Sequence, residues 1–196
     1  MSRFSTIALG AAALLCAPTL AHAQAAPSDP YNASRFSVEP YLSETWTKND
    51  VTDKRNGTGG FGVRVMFGQS SASRALSTLF NRARAGAFVT YASGDNSLKQ
   101  YNYGVQGDFP LFATPAGAGF RLDPFVSLGI GAIHSSVDAG SGTNITSNDF
   151  ALTPAVGTLI PIAGAVKFRG DLRDAILFGN STTNNFIAEG GISIGF

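Results

Sequence analysis

The chain has 196 residues, 44% of them hydrophobic, 14% charged and 11% aromatic, with 23 glycines and a single cysteine. Soluble domains average about 25% charged residues, so the charged fraction is low, while the glycine and aromatic content argues against disorder. No run of 18 uninterrupted apolar residues follows position 25, which excludes a helical membrane protein. With a net charge of +1 and no basic cluster, nucleic acid is not an expected partner.

Residues 1–23 read as an export signal. Arg3 precedes an apolar run from Ile7 to Leu20, and Ala21-His22-Ala23 supplies the small-x-small pattern that signal peptidase cuts. Cleavage before Gln24 leaves about 173 residues, formally neutral because Arg3 departs with the leader. Cys16 departs too, so the mature chain can form no disulfide. Leu15 stands where lipoprotein signals resemble one another in carrying a small residue, and lipidation is not expected. An exported chain without cysteine points to the bacterial periplasm, outer membrane or medium.

Residues 24–34 form a flexible lead-in rich in Ala, Pro, Ser and Asn, and 35–196 form one domain. There apolar residues alternate with polar or small ones in eight segments, the mark of strands with one apolar face. In 35–46, Phe36, Val38 and Leu42 alternate with Ser37, Glu39, Tyr41 and Ser43. In 58–68, Phe61, Val63, Val65 and Phe67 oppose Gly62, Arg64 and Met66. Segment 83–92 sets Val89 and Tyr91 against Arg84 and Thr90, and 99–110 sets Tyr101, Tyr103, Val105 and Phe109 against Asn102, Gln106 and Asp108. In 120–133, Leu122, Val126, Leu128 and Ile130 oppose Arg121, Asp123 and Ser127. Segment 149–160 carries Phe150, Leu152, Val156 and Ile160 on one face. In 165–177, Val166, Phe168 and Leu172 oppose Lys167, Arg169, Asp171 and Arg173. In 184–196, Phe186, Ala188, Ile192, Ile194 and Phe196 oppose Asn185, Glu189 and Ser193. Phe88 and Ile187 break the pattern, and alternation weakens near Asp174.

Alternate links differ in kind, as an up-and-down barrel requires. Those at 47–57, 93–98, 134–148 and 178–183 are polar and read as solvated loops. The opposite end has a tight turn around Pro161-Ile162-Ala163-Gly164 and a Pro/Gly link through Pro115 and Gly117. The 69–82 connection is long for that end, with Ala75, Leu76 and Leu79 at helical spacing, and reads as a tolerated insertion.

Period two alone does not say whether the apolar face meets lipid or a core. The polar face does. Its charges nearly balance: Glu39, Asp108, Asp123, Asp171 and Glu189 against Arg64, Arg84, Arg121, Lys167, Arg169 and Arg173. Small residues and paired charges suit the interior of an eight-stranded barrel, which has room only for side chains. Segments of this length can cross a bilayer, and aromatics near their ends suit interfacial girdles. The expected pairing is a ladder in which Arg169 and Arg173 meet Glu189, and Arg121 or Lys167 meets Asp123 or Asp171. Such a ladder blocks continuous conduction.

The terminus Glu189-Gly190-Gly191-Ile192-Ser193-Ile194-Gly195-Phe196 resembles the outer-membrane assembly signal in Glu189, Gly191, Ile194 and Phe196. That resemblance implies recognition by the barrel-assembly machinery, with the last strand pairing by edge augmentation. Phe168-Arg169-Gly170-Asp171-Leu172-Arg173-Asp174 resembles the penultimate strand of small OmpA-like outer-membrane β-barrel domains. Asp123-Pro124-Phe125-Val126 with Gly129 and Gly131 resembles their central strand. The resemblance spans 24–196 and implies a closed eight-stranded antiparallel transmembrane barrel, here without the peptidoglycan-binding domain that many such proteins carry.

Some small outer-membrane barrels modify lipid A with His and Ser, so His134-Ser135-Ser136 is the catalytic candidate to weigh. Nucleophilic catalysis needs a base in reach of the hydroxyl and a third group orienting it, and the deacylase-like His-x-Ser-Asn pattern is missing because Val137 follows Ser136. His134 reads as a loop residue, and no catalytic residue is assigned. One mature histidine and no cysteine supply no metal set, and no cofactor motif is present. The expectation is a monomeric, non-enzymatic outer-membrane barrel of a Gram-negative envelope with a structural or surface-interaction role. The alternatives are a lipid A-modifying barrel enzyme, a soluble periplasmic barrel binding an apolar ligand, and a narrow gated porin.

Overall fold

The alternating segments form eight strands: β1 (Phe36–Lys48), β2 (Arg55–Phe67), β3 (Arg84–Ser93), β4 (Lys99–Pro110), β5 (Asp123–Asp138), β6 (Asn144–Ala163), β7 (Val166–Phe178) and β8 (Thr182–Gly195). The structure, a computed structural model, describes residues 36–48, 55–68, 83–94, 98–112, 121–138, 144–179 and 182–196. The leader with Ala21 and Ala23, the lead-in, the 69–82 connection and the link through Pro115 and Gly117 lie outside the described residues.

Each strand pairs antiparallel with its neighbours in sequence, and β1 also pairs with β8, giving a closed up-and-down barrel. Closure gives every strand two partners and leaves no sheet edge around the wall. Because side chains alternate across a strand, each one sends half of its residues into the lumen. The faces follow the sequence: Leu42, Phe61, Val105, Leu128 and Leu172 point outward and are exposed, while Glu39, Arg64, Asp108, Ser127 and Arg173 are buried inside. A soluble barrel with an inward apolar face is therefore not what this sequence builds.

Phe88 and Ile187 point inward, as their parity demands, and both are buried. Ile187 joins Ile133, Ala151, Ala175 and Leu177 in an apolar cluster inside the barrel.

Two links are shorter than the sequence implies. The polar stretch 134–148 is mostly strand: β5 and β6 pair from His134↔Asn148 to Asp138↔Asn144. This outer hairpin lacks a buried apolar face, since Ile145, Thr146, Ser147 and Asn148 are all exposed, so it shows no alternation in sequence. The turn expected at 161–164 is confined to Gly164 and Ala165, since β6 runs to Ala163 with a register shift between Pro161 and Ala163. Pro161 has no N–H to give the ladder, which accounts for an irregularity there.

Gly164 has a φ of 53°, in the left-handed region that residues with a Cβ enter at a cost of about 1–2 kcal/mol. Gly164→Ala is expected to destabilise the barrel by about 1 kcal/mol, seen as a lower urea midpoint with an unchanged slope. Gly164→Asn, which tolerates that region better, should cost less.

Candidate functional site

Five basic residues, Arg64, Arg84, Lys167, Arg169 and Arg173, and five acidic ones, Glu39, Asp108, Asp123, Asp171 and Glu189, are buried inside the barrel. Their charges cancel. Burying one ion costs several kcal/mol unless a partner and further hydrogen bonds compensate, so the useful question is who pairs with whom.

Glu39 on β1 sits among three arginines: 2.5 Å from Arg84, 3.4 Å from Arg169 and 3.6 Å from Arg64. Its Oε1 also accepts hydrogen bonds from Ser37 and Ser193, both at 2.9 Å, and Arg84 donates to Ser37 Oγ as well. Arg169 on β7 crosses the lumen to Asp108 on β4 at 2.5 Å and holds Asp171 at 2.9 Å. Arg64 on β2 pairs closely with Glu189 on β8 and lies 3.8 Å from Asp171. Arg173 reaches Asp171 and Glu189, each at 3.4 Å. Gln106, which the charge pattern had not singled out, accepts from Arg64 at 3.0 Å and from Arg173 at 3.2 Å, and donates to Asp108 at 2.9 Å. The network ties together β1, β2, β3, β4, β7 and β8.

The pairing departs from the expected ladder in one respect. Glu189 takes Arg173, as anticipated, but its other partner is Arg64, and Arg169 turns to Asp108, Asp171 and Glu39. The register explains this: Glu189 stands directly opposite Asp171, while Arg169 stands opposite Gly191. Two facing carboxylates are served from above and across the lumen rather than by one neighbour. Arg121 lies near the β5 start, 3.5 Å from Asp123, and Lys167 is buried on β7.

Aromatic rings carry three of the guanidinium groups. Arg64 lies 4.6 Å from the Tyr41 ring centroid, Arg169 4.2 Å from that of Phe125, and Arg173 5.6 Å from that of Phe88. The out-of-pattern Phe88 thus has a role, since a cation over a ring face is attracted by its quadrupole. Glycine makes this arrangement possible at Gly62, where a Cβ would lie 2.5 Å from Tyr41 Cζ and 2.6 Å from the Val89 carbonyl oxygen.

The outer surface has its own order. Toward the end carrying the β1–β2 and β5–β6 links, Trp46 packs on Phe186, Phe150 on Phe178, and Phe61, Tyr91, Tyr101 and His134 follow one another around the wall. At the other end Phe36 stacks on Phe196, centroids 5.0 Å apart. On β1 ten residues separate Phe36 from Trp46, which at about 3.3 Å per residue and a tilt of about 40° spans about 25 Å, the height of the apolar band of membrane barrels. His134 faces outward on this rim, its Nδ1 2.7 Å from Asn148 Oδ1. In the proposed assembly segment, Glu189 and Gly191 face the lumen, Ile194 shares the Val38 face but is buried, and Phe196 is exposed, along the strand that closes against β1.

Glu189→Ala leaves Arg64 buried without its close partner and should destabilise the barrel by about 3–5 kcal/mol, measured as urea resistance of the folded form. Glu189→Gln, which keeps the hydrogen bond, should lose less.

No family model matches the sequence, and no curated protein matches it. Solved structures do match. Neisserial surface protein A is 16% identical with a TM-score of 0.61, over 83% of this chain and 98% of that one. The N-terminal β-barrel domain of OprF from Pseudomonas aeruginosa is 14% identical with a TM-score of 0.51, over 82% and 97%. Ail, the attachment invasion locus protein of Yersinia pestis, is 12% identical with a TM-score of 0.51, over 83% and 99%. The fold of this chain is that of the small eight-stranded outer-membrane barrels.

Proposed function

We propose that this chain is an exported, integral outer-membrane barrel that acts as a structural or surface-interacting element of the envelope, with no enzymatic role. The observation that carries the reading is the inversion of polarity across one wall. An apolar belt about 25 Å high between two aromatic girdles faces out, and a charge-neutral network faces in. Lipid is the solvent that such an exterior matches, and export through the Ala21-His22-Ala23 signal delivers it there. In this reading the barrel-assembly machinery inserts the chain as a monomer, guided by Glu189, Gly191, Ile194 and Phe196. The outer hairpin of β5 and β6 then stands on the cell surface.

The network also argues for a plugged lumen. Arg64, Arg169 and Arg173 cross the barrel and are held by carboxylates on several walls, so an ion would have to displace them to pass. His134 is turned outward, with its Nδ1 against the Asn148 carboxamide and its ring beside Tyr101, an arrangement that supports a rim role rather than a catalytic base.

Fractionation is expected to place the expressed protein in the outer membrane, with an unboiled band migrating faster on gels than the boiled one. In planar bilayers the purified barrel should give no steady conductance. Recovery in a soluble fraction with no heat shift would falsify the membrane reading, and a sustained single-channel current would overturn the plug.

A further inference from the structure

One stretch of backbone in the barrel wall lacks a partner on one side. β7 ends at Phe178, opposite Phe150 of β6, while β6 begins further out, at Asn144. Among the described residues, Asn144–Asp149 therefore pairs with β5 alone. On the other flank β4 follows β5 up to Ser136, so only Val137 and Asp138 lie beyond it. The free edge of the outer hairpin is that of β6, about 20 Å long at about 3.3 Å per residue.

Such an edge offers a row of unpaired backbone N–H and C=O groups, and proteins that must keep one empty blunt it with Lys, Pro, a bulge or a covering segment. Asn144-Ile145-Thr146-Ser147-Asn148-Asp149 carries neither Lys nor Pro, and its register with β5 runs unbroken from Asp138↔Asn144 to His134↔Asn148. Alternation puts Ile145, Ser147 and Asp149 on the lumen side of the hairpin, in line with buried Ala151. There Ile145, 63% exposed, stands opposite Val137, an apolar pair open to a third member on the free side. At the foot of the edge Asp149 accepts a hydrogen bond from Ser147 Oγ at 3.2 Å and leans over Gly179, where a Cβ would strike its carboxylate. That carboxylate sits where β7 stops.

We infer that the β6 edge is a docking site for an extended segment of another protein, which adds as a strand antiparallel to β6 in the space above Phe178. In this mode backbone hydrogen bonds supply the affinity and alternate side chains the selectivity. The segment that fits carries a basic residue opposite Asp149 and, four positions later, an apolar one opposite Ile145. A second copy in the same membrane does not fit, because β6 edges related by a two-fold axis along the membrane normal cross at about twice the strand tilt of about 40° and cannot form a ladder. The inference rests on the surface-interaction reading above and gives that reading a class of partner.

The test is fluorescence anisotropy of a labelled peptide, Arg-Thr-Val-Thr-Val-Thr, on the purified full chain folded in detergent. Saturable binding is expected. N-methylation of alternate peptide residues blocks hydrogen bonding along one side of a strand only, so one of the two alternating sets should abolish binding and the other should leave it. Asp149→Asn should weaken the arginine peptide about threefold, the size of one exposed cross-strand charge pair, and leave a peptide with threonine in place of arginine unchanged. A barrel that shows the heat shift, fractionates with the outer membrane and binds neither peptide overturns the docking edge while the envelope reading stands. Equal loss from both N-methylated sets overturns it as well, since adsorption to an apolar surface does not distinguish them. An Asp149→Asn barrel that holds the arginine peptide at wild-type strength overturns the partner chemistry.

Discussion

Ten ionised side chains share an interior too narrow for bulk water, and each must find its opposite there. Removing one partner of a buried pair costs more than the pair ever contributes, because the remaining ion stays buried and uncompensated. The lumen residues therefore constrain one another across the whole barrel. β7 shows how dense the requirement becomes, with Lys167, Arg169, Asp171 and Arg173 at successive inward positions. Large charged groups and their supporting rings need space, and glycine supplies it opposite Tyr41 and Phe125: Gly62 makes way for the first and Gly157 for the second. The high glycine content and the buried arginines answer the same steric demand.

Much of this was legible in the sequence because a barrel wall writes its two environments at alternate positions. Strand count, face assignment and the identity of the lumen charges follow from that period. Even the two interruptions carried information: Phe88 lies under the Arg173 guanidinium, and Ile187 packs into an apolar cluster among the polar lumen groups. Partner choice was not legible. It depends on the register between strands, which places Asp171 rather than Arg169 opposite Glu189, and no pattern within one strand encodes a stagger between two. The β5–β6 hairpin was hidden for a different reason. Beyond His134 both of its faces meet solvent, so nothing forces polar and apolar residues to alternate.

The outer face obeys a looser rule than the inner one. In the proposed membrane setting, lipid asks only for apolar surface at the right height, with rings where chain meets headgroup, and Val, Leu, Ile, Phe and Tyr all serve. The lumen asks for particular atoms at particular distances. Gln106 illustrates the difference: its carboxamide oxygen receives two arginines while its nitrogen donates to Asp108, a combination that no residue of similar size and different chemistry reproduces.

The closure of β1 against β8 has a consequence for the order in which the chain can assemble. Ser193 reaches Glu39 across 154 positions of sequence, and Arg64 reaches Glu189 across 125. Contacts of such separation form late, because a long loop must close before any of them is made. Until then Glu39 and Arg64 wait on the first hairpin with only each other and nearby polar groups for company. A half-built sheet cannot leave such charges in hydrocarbon, so in the proposed membrane role hairpins could not enter a bilayer one at a time and remain there. It is β8, far along the chain, that completes the partners of the Glu39 and Arg64 side chains on the first hairpin.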